Sequence, residues 1–230
     1  MSFVTESMRP CPCGCGAEFI QIVAEREEGV RADAAAASAM PVRDGNAPRV
    51  FLITGMPGAG KSTVARQLAL RFERAAHIDI DMVFHHFTVS GRVDAVVNDD
   101  ERDRQSNLAV SNAAAMARNY MGAGFTCVLE GAVALRQQVQ LCAEIVAPAS
   151  LHFVVLAPPD PVSERRDQDR SGKHVAEAFR FLSPLMHEEL HDLGLWIDSS
   201  DLSARDTTSA VLNHLHRSEM RPSNDSKERT

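Results

Sequence analysis

Five short apolar stretches interrupt an otherwise polar and helix-patterned chain: residues 49–54, 76–81, 125–129, 151–156 and 195–198. Each is four to six residues long, rich in β-branched and aromatic side chains, and bounded by Gly, Pro or charged positions, which predicts buried strands. Between them apolar residues recur with the helical period. Val64, Leu68 and Phe72 align over 61–72, and Ala109, Ala113, Met116, Ala117 and Tyr120 over 106–121. Leu135, Val139, Cys142 and Val146 align over 135–147. Val175, Phe179, Leu182 and Met186 mark further helix, restarted at Ser183-Pro184, where proline suits a first helical turn. Ser203 with Asp206 reads as a capping box that opens a last helix through Val211, Leu212 and Leu215. Strands alternating with helices predict an α/β fold: a five-stranded parallel sheet covered on both faces by helices, in three layers. Right-handed crossovers gather the strand ends on one edge, where ligands bind in such folds.

The chain has 230 residues, 44% hydrophobic and 24% charged, which fits one domain with extensions. Residues 1–48 read as an N-terminal extension with a Cys-rich start, 49–216 as the domain, and 217–230, which lack an apolar face, as a disordered tail. The net charge of −7 argues against a general nucleic-acid binder and leaves room for a small anionic ligand held by local cations. No run of 18 apolar residues spans a membrane, and Met1 to Ile20 has no apolar core of a secretion signal, so a cytoplasmic protein, monomer or homodimer, is expected. Five cysteines, three of them clustered at Cys11, Cys13 and Cys15, make a poor disulfide framework. That cluster resembles half a zinc knuckle with no fourth ligand at usable spacing, so a thiol-rich unstructured tail is the default.

Directly after the first strand, Gly55-Met56-Pro57-Gly58-Ala59-Gly60-Lys61-Ser62 satisfies G-x-x-x-x-G-K-[ST], and a helix follows. Gly55, Gly58 and Gly60 let the backbone N–H groups curl around a phosphate without Cβ clashes, with Pro57 and Ala59 between them. The helix start through Lys61, Ser62 and Thr63 adds partial positive charge. Lys61 is expected to reach the β- and γ-phosphates and the Ser62 hydroxyl to ligate Mg²⁺. A nucleoside triphosphate, ATP with Mg²⁺, is the expected ligand. The Asn-Lys-x-Asp base-reading signature of regulatory GTPases is absent, and the third strand ends in a single acid, Glu130, rather than the Asp-Glu of ring-forming ATPases.

Residues 49–216 resemble the P-loop small-molecule kinases, a group that includes shikimate kinase, gluconate kinase and chloramphenicol phosphotransferase. The resemblance rests on Gly55–Thr63, on His77-Ile78-Asp79-Ile80-Asp81, on 124–130, on Leu156-Ala157-Pro158 followed by Glu164-Arg165-Arg166 and Arg170, and on 195–200. It implies a P-loop NTPase fold with a lid between strands four and five, and transfer of a phosphoryl group to a small-molecule hydroxyl. If Asp79 and Asp81 lie on one strand, at i and i+2, their carboxylates emerge on the same face. The resemblance then implies Asp79 on the metal side, through water, and Asp81 at the acceptor hydroxyl. Glu130 stands at the strand end beside the P-loop, for metal or for substrate, where the family often has Asp. In the lid, the resemblance implies one arginine on adenine, assigned to Arg165, and one on the transferring phosphoryl, assigned to Arg170.

His85 and His86 are candidates for lining the substrate pocket, and Arg92 and Arg136 for contacting the acceptor. His187 and His191 lack the H-E-x-x-H pattern and read as packing residues. Three further functions share the motif: antibiotic inactivation, a toxin-like nucleotide-sugar kinase, and an ATP-binding switch that signals through the N-terminal extension. Fold does not fix the acceptor.

Overall fold

A computed structural model describes residues 4–10, 18–24, 48–93, 100–169 and 174–220. In chain order the elements are β1 (Val4–Pro10), β2 (Glu18–Ala24), β3 (Val50–Gly55), α1 (Lys61–Ala69), β4 (Ala75–Asp79), the short α2 (Ile80–Met82) and a π-helical turn (Val83–Phe87). They continue with α3 (Asp100–Gly122), β5 (Thr126–Glu130), α4 (Arg136–Val146), β6 (Leu151–Leu156), α5 (Asp160–Asp169), α6 (Leu182–Leu190), β7 (Leu195–Asp198), α7 (Ala204–Asn213), α8 (Leu215–Ser218) and β8 (Glu219–Met220). Five strands, in the order β7-β6-β3-β5-β4, run parallel, as the alternation of strand and helix requires.

The sheet is central because its strands are apolar on both faces. Every residue of β3, β5 and β6 is buried. One core lies between the sheet and α3, α4 and α6, around Val50, Leu52, Leu129, Phe153 and Trp196. The other lies against α1 and α7, around Phe51, Ile53, Val128, Val154 and Leu68. Cys127 and Cys142 sit fully buried in the first, and burial pushes their thiols up to about 11 and about 12, so they remain inert apolar fillers. On α3 the buried stripe is Ala109, Val110, Ala113, Ala114 and Ala117; Tyr120, placed on that face by the sequence pattern, is exposed. His187 stacks on Trp196 with ring centroids 5.0 Å apart, as a packing residue.

Two features depart from the sequence expectation. The sheet is wider than five strands: β1 and β2 pair antiparallel, and β2 joins β7 in parallel through Phe19, Ile20 and Gln21. Ile20 is buried in the second core, so part of the N-terminal extension is folded onto the domain. The segment Glu-Phe-Ile-Gln-Ile-Val-Ala has the β-branched and aromatic content that a strand paired on both sides favours. Cys11, Cys13 and Cys15 lie outside the described residues. At the other end, residues 217–220 are ordered. Ser218 is fully buried against His152, with Oγ 3.0 Å from Nδ1, and β8 pairs with the start of β6, where β7 does not reach. Among the described residues no helix is long and apolar enough to cross a membrane.

Candidate active site

The turn from β3 into α1 carries the glycine motif, and its geometry shows why each glycine is there. Gly58 and Gly60 have φ of +84° and +96°, a region that L side chains rarely adopt. At Gly58 the space is closed as well: a Cβ would stand 2.0 Å from the Ser163 carbonyl oxygen, so α5 lies directly on the loop. At Gly55 a Cβ would meet the Leu156 carbonyl at 2.3 Å, which keeps β3 tight against β6. Lys61 begins α1 and is buried. Its Nζ donates to the Gly55 and Met56 carbonyls at 3.0 and 3.3 Å, folding the ammonium back over the loop. Ser62 and Thr63 are exposed on the first turn and open, with Pro57, Gly58, Gly60 and Lys61, into a cleft of about 1160 Å³. Ala59 is buried beneath the loop.

Among the described residues four acids line that cleft, Asp79, Asp81, Asp103 and Glu130, and three of them stand at the ends of β4 and β5 or just after. Asp79 and Glu130 are register partners at the ends of β4 and β5. Glu130 is 2% exposed, and no donor is in hydrogen-bonding geometry with its Oε1; His77 Nε2 lies 3.6 Å away. Burial pushes this carboxyl up, but His77, the Lys61 ammonium and the Ser62 hydroxyl together draw it below its ordinary value, so it is an ionised group. Asp79 is displaced the other way. Burial raises it foremost, the Met82 N–H opposes, and the charges of Glu130 and Asp81 raise it further. Its Oδ1 accepts from Met82 N at 3.0 Å, an N-cap that ends the strand and starts α2.

That cap corrects the strand-face argument for Asp81. The strand stops at Asp79, so Asp81 stands in the helical turn that follows. The two carboxylates still open into one cleft, by a turn instead of by strand alternation. Asp81 Oδ1 accepts from Ala132 N at 3.3 Å, across from the end of β5.

The buried, ionised Glu130 oxygen without a hydrogen-bond donor, beside Ser62 and Asp79, is a donor set suited to a hard divalent cation approached through water. Among the described residues no group of three or more His, Cys, Asp or Glu closes into a complete site. A cation here would complete its shell with water and phosphate oxygens, as Mg²⁺ commonly does.

The structure does not bring Arg165 to the cleft: it is exposed on the outer side of α5. Its neighbour Arg166 lines the cleft instead, and its Nη2 donates to the Ser199 and Ser200 carbonyls at 2.8 and 2.9 Å, tying α5 to the loop after β7. Arg170 lies outside the described residues. Asp167, buried, accepts from Val175 N and Ala176 N at 2.7 and 2.8 Å and so holds the chain beyond residue 173 to α5. His85, His86 and Arg92 line the cleft. Arg136 does not: it pairs with Asp192, and its N–H donates to Glu189.

The sequence reading quoted Arg166 in the lid but assigned the adenine contact to Arg165, and it gave Asp167 and Gln138 no part in the site. Gln138 Oε1 accepts from Ala134 N and Leu135 N, and its Nε2 donates to Ser106 Oγ at 2.9 Å, which ties the start of α4 to α3. Its signal was a glutamine on the apolar face of a helix.

The profile of the AAA_33 family, described as an AAA domain, matches residues 50–180. The chain belongs to this family. No curated protein matches the sequence significantly. Its fold is that of the P-loop small-molecule kinases. Among solved structures, it is similar to a sugar kinase from Janibacter sp. HTCC2649, at 17% identity and TM-score 0.59, covering 74% of this chain and 95% of that one. A gluconokinase from Sinorhizobium meliloti 1021 gives 17% identity and TM-score 0.56 over 74% and 93%. The Mycobacterium tuberculosis APS kinase in complex with AMPPNP and APS gives 19% and 0.52 over 74% and 98%. At these identities the likeness is one of fold.

Proposed function

We propose that this chain transfers the γ-phosphoryl group of ATP, with Mg²⁺, to a hydroxyl of a small molecule. The observation that carries the proposal is the opening of the glycine cradle and Asp79, Asp81 and Glu130 into one cleft. At about 1160 Å³ that cleft exceeds the roughly 300–1,000 Å³ of a single-ligand pocket, leaving space for a second substrate beside a nucleotide. The fold shared with kinases of several small molecules supports the same class of reaction.

Loop amides from Gly58 to Ser62 bind phosphate oxygens, and Lys61 exchanges its two carbonyl partners for the β- and γ-phosphates. Ser62 directly, and Asp79 and Glu130 through water, are the residues that would hold Mg²⁺. When bound, the ion neutralises charge on the triphosphate. Asp81 orients the acceptor hydroxyl and takes its proton as the oxygen bonds to the γ-phosphorus and the bond to the β–γ bridging oxygen breaks, releasing ADP. Arg166 closes the nucleotide end by fixing the 199–200 loop. Arg170 is assigned to the charge on the transferring group. Positioning and electrostatics supply most of the catalysis in such transfers.

A screen with γ-labelled ATP against sugars, hydroxy acids, aminoglycosides and aryl alcohols tests the proposal. Label should pass to at least one hydroxyl compound and should not do so with Lys61→Ala. ATP hydrolysis indifferent to every hydroxyl compound would count against it and for a nucleotide-driven switch.

A further inference from the structure

Hydroxyls on the helices of this chain commonly return their proton to the carbonyl four residues back. Ser111 Oγ donates to the Asn107 carbonyl at 2.8 Å, Thr207 Oγ1 to Ser203 at 2.9 Å, Thr208 Oγ1 to Ala204 at 2.8 Å and Ser209 Oγ to Arg205 at 3.0 Å. Ser106, where α3 lines the cleft, behaves differently. Its Oγ accepts from Gln138 Nε2 at 2.9 Å, and no described residue takes its proton.

The direction of that bond is fixed by the other side of the amide. Gln138 is 3% exposed, and its Oε1 accepts from Ala134 N and Leu135 N, both at 3.3 Å. A flipped amide would set its own N–H groups against two backbone donors, so the NH₂ must face Ser106. A serine hydroxyl carries one proton, and with Gln138 as donor that proton turns away from Gln138. Both side chains line the cleft, so the uncommitted donor belongs to the cleft wall.

One loop joins this donor to Asp81. In residues 131–135, Ala132 N donates to Asp81 Oδ1 at 3.3 Å, the Val133 carbonyl accepts from Thr54 Oγ1 at 2.7 Å, and the N–H groups of Ala134 and Leu135 hold Gln138. The carboxylate is thus fixed at one end of the loop and the hydroxyl donor at the other.

Accepting the kinase assignment above, we infer that Ser106 is a specificity-determining residue: its hydroxyl donates a hydrogen bond to a second lone-pair atom of the acceptor while Asp81 serves the reacting hydroxyl. The acceptor is then an alcohol with at least one further hydroxyl, ether, carbonyl or carboxylate oxygen. An alcohol without one would leave the Ser106 proton unpaired, which costs affinity. Gln138 is a positioning residue that acts through Ser106. Ser106 takes no part in the transfer itself, in which the acceptor oxygen gains the γ-phosphoryl, ADP departs and the proton goes to Asp81.

The test measures transfer from γ-labelled ATP by the full chain to cyclohexanol and benzyl alcohol, which carry one oxygen, and to gluconate, shikimate and kanamycin, which carry several. At least one compound of the second group should accept label with kcat/KM about tenfold or more above either of the first. For that compound Ser106→Ala should raise KM about tenfold, with kcat and Mg·AMPPNP affinity changed less than about twofold. Ser106→Thr, which keeps the hydroxyl, should restore the parent KM. Gln138→Glu at pH 8 still accepts from Ala134 N and Leu135 N but also takes the Ser106 proton, so it should reproduce the KM of Ser106→Ala. If Gln138 only braced the loop, the folded variant would keep the parent KM, and its positioning role would be overturned. One-oxygen alcohols accepted as well as the others, or a KM indifferent to Ser106→Ala, would overturn the inference and leave the kinase assignment standing. Label passing to no hydroxyl compound would overturn the kinase assignment, and the inference with it.

Discussion

The two ends of the cleft are built by different means. The end proposed for the nucleotide is made of backbone: glycines at positive φ, one lysine folded onto two carbonyls, and α5 resting on Gly58. The part proposed for the acceptor is made of side chains from α2 and the π-turn, α3, and the chain from Val175 into α6, which meet only in the folded molecule. A site made of backbone needs particular residues at fixed spacing and tolerates no substitution that adds a Cβ. A site made of side chains needs only a shape and a balance of polarity, which many sequences supply.

The contrast breaks most severely at Gly58. Gly58→Val would place its Cβ 2.0 Å from the Ser163 carbonyl at a φ of +84°, so nucleotide binding should be abolished and the unfolding free energy lowered by ~3 kcal/mol, read by calorimetry and by urea unfolding. Lys61→Ala should keep the fold and reduce labelled-phosphate transfer ~10³-fold, since one preorganised donor to developing charge is worth about that. Asp81→Asn sharpens the boundary between the two ends. Turnover should fall ~10²-fold while ATP affinity changes less than about twofold. Equal loss of both would move Asp81 to the nucleotide end.

The two arginines make a smaller, paired test. Arg166→Ala frees the Ser199 and Ser200 carbonyls and should weaken nucleotide affinity ~tenfold, whereas Arg165→Ala should leave it unchanged. An effect of Arg165→Ala as large as that of Arg166→Ala would contradict the outward placement of Arg165.

The smallest effect concerns stability. Asp79 is held above its ordinary value of 3.8, first by burial and then by Glu130 and Asp81, with the Met82 N–H opposing. The folded chain therefore holds this proton more tightly than the unfolded one. Ionisation costs stability as pH rises from the unfolded value through the higher folded value, and the cost is complete above it. Asp79→Asn keeps a capping side chain and removes the cost, so its Tm should exceed the parent's near ~pH 7, and the gain should vanish near ~pH 3. A constant difference across that range would contradict the assignment.

Much of this was legible in the sequence where a short-range rule applies. The glycine motif between a strand and a helix gave the positive-φ turn that opens into the cleft, and the five apolar stretches gave the parallel strands. Asp79 and Asp81 were correctly grouped but for a reason that fails. Asp at an N-cap ends a strand as readily as it continues one, and the Met82 N–H decides which. The β1–β2 hairpin was missed because its partner, β7, is remote in sequence and Ile20 finds its burial only beside Ile197. Arg165 and Arg166 differ by one helical step, about 100° around α5, and only the packing of that helix on the P-loop settles which of them faces inward. The acceptor end was illegible for the same reason: its walls come from three distant segments.

The most direct measurement is a calorimetric titration of the full chain with Mg·AMPPNP, beside Lys61→Ala. The account predicts saturable binding to one site in the parent chain and its loss in the variant. No heat of binding in the parent, or equal affinity in both, would contradict it.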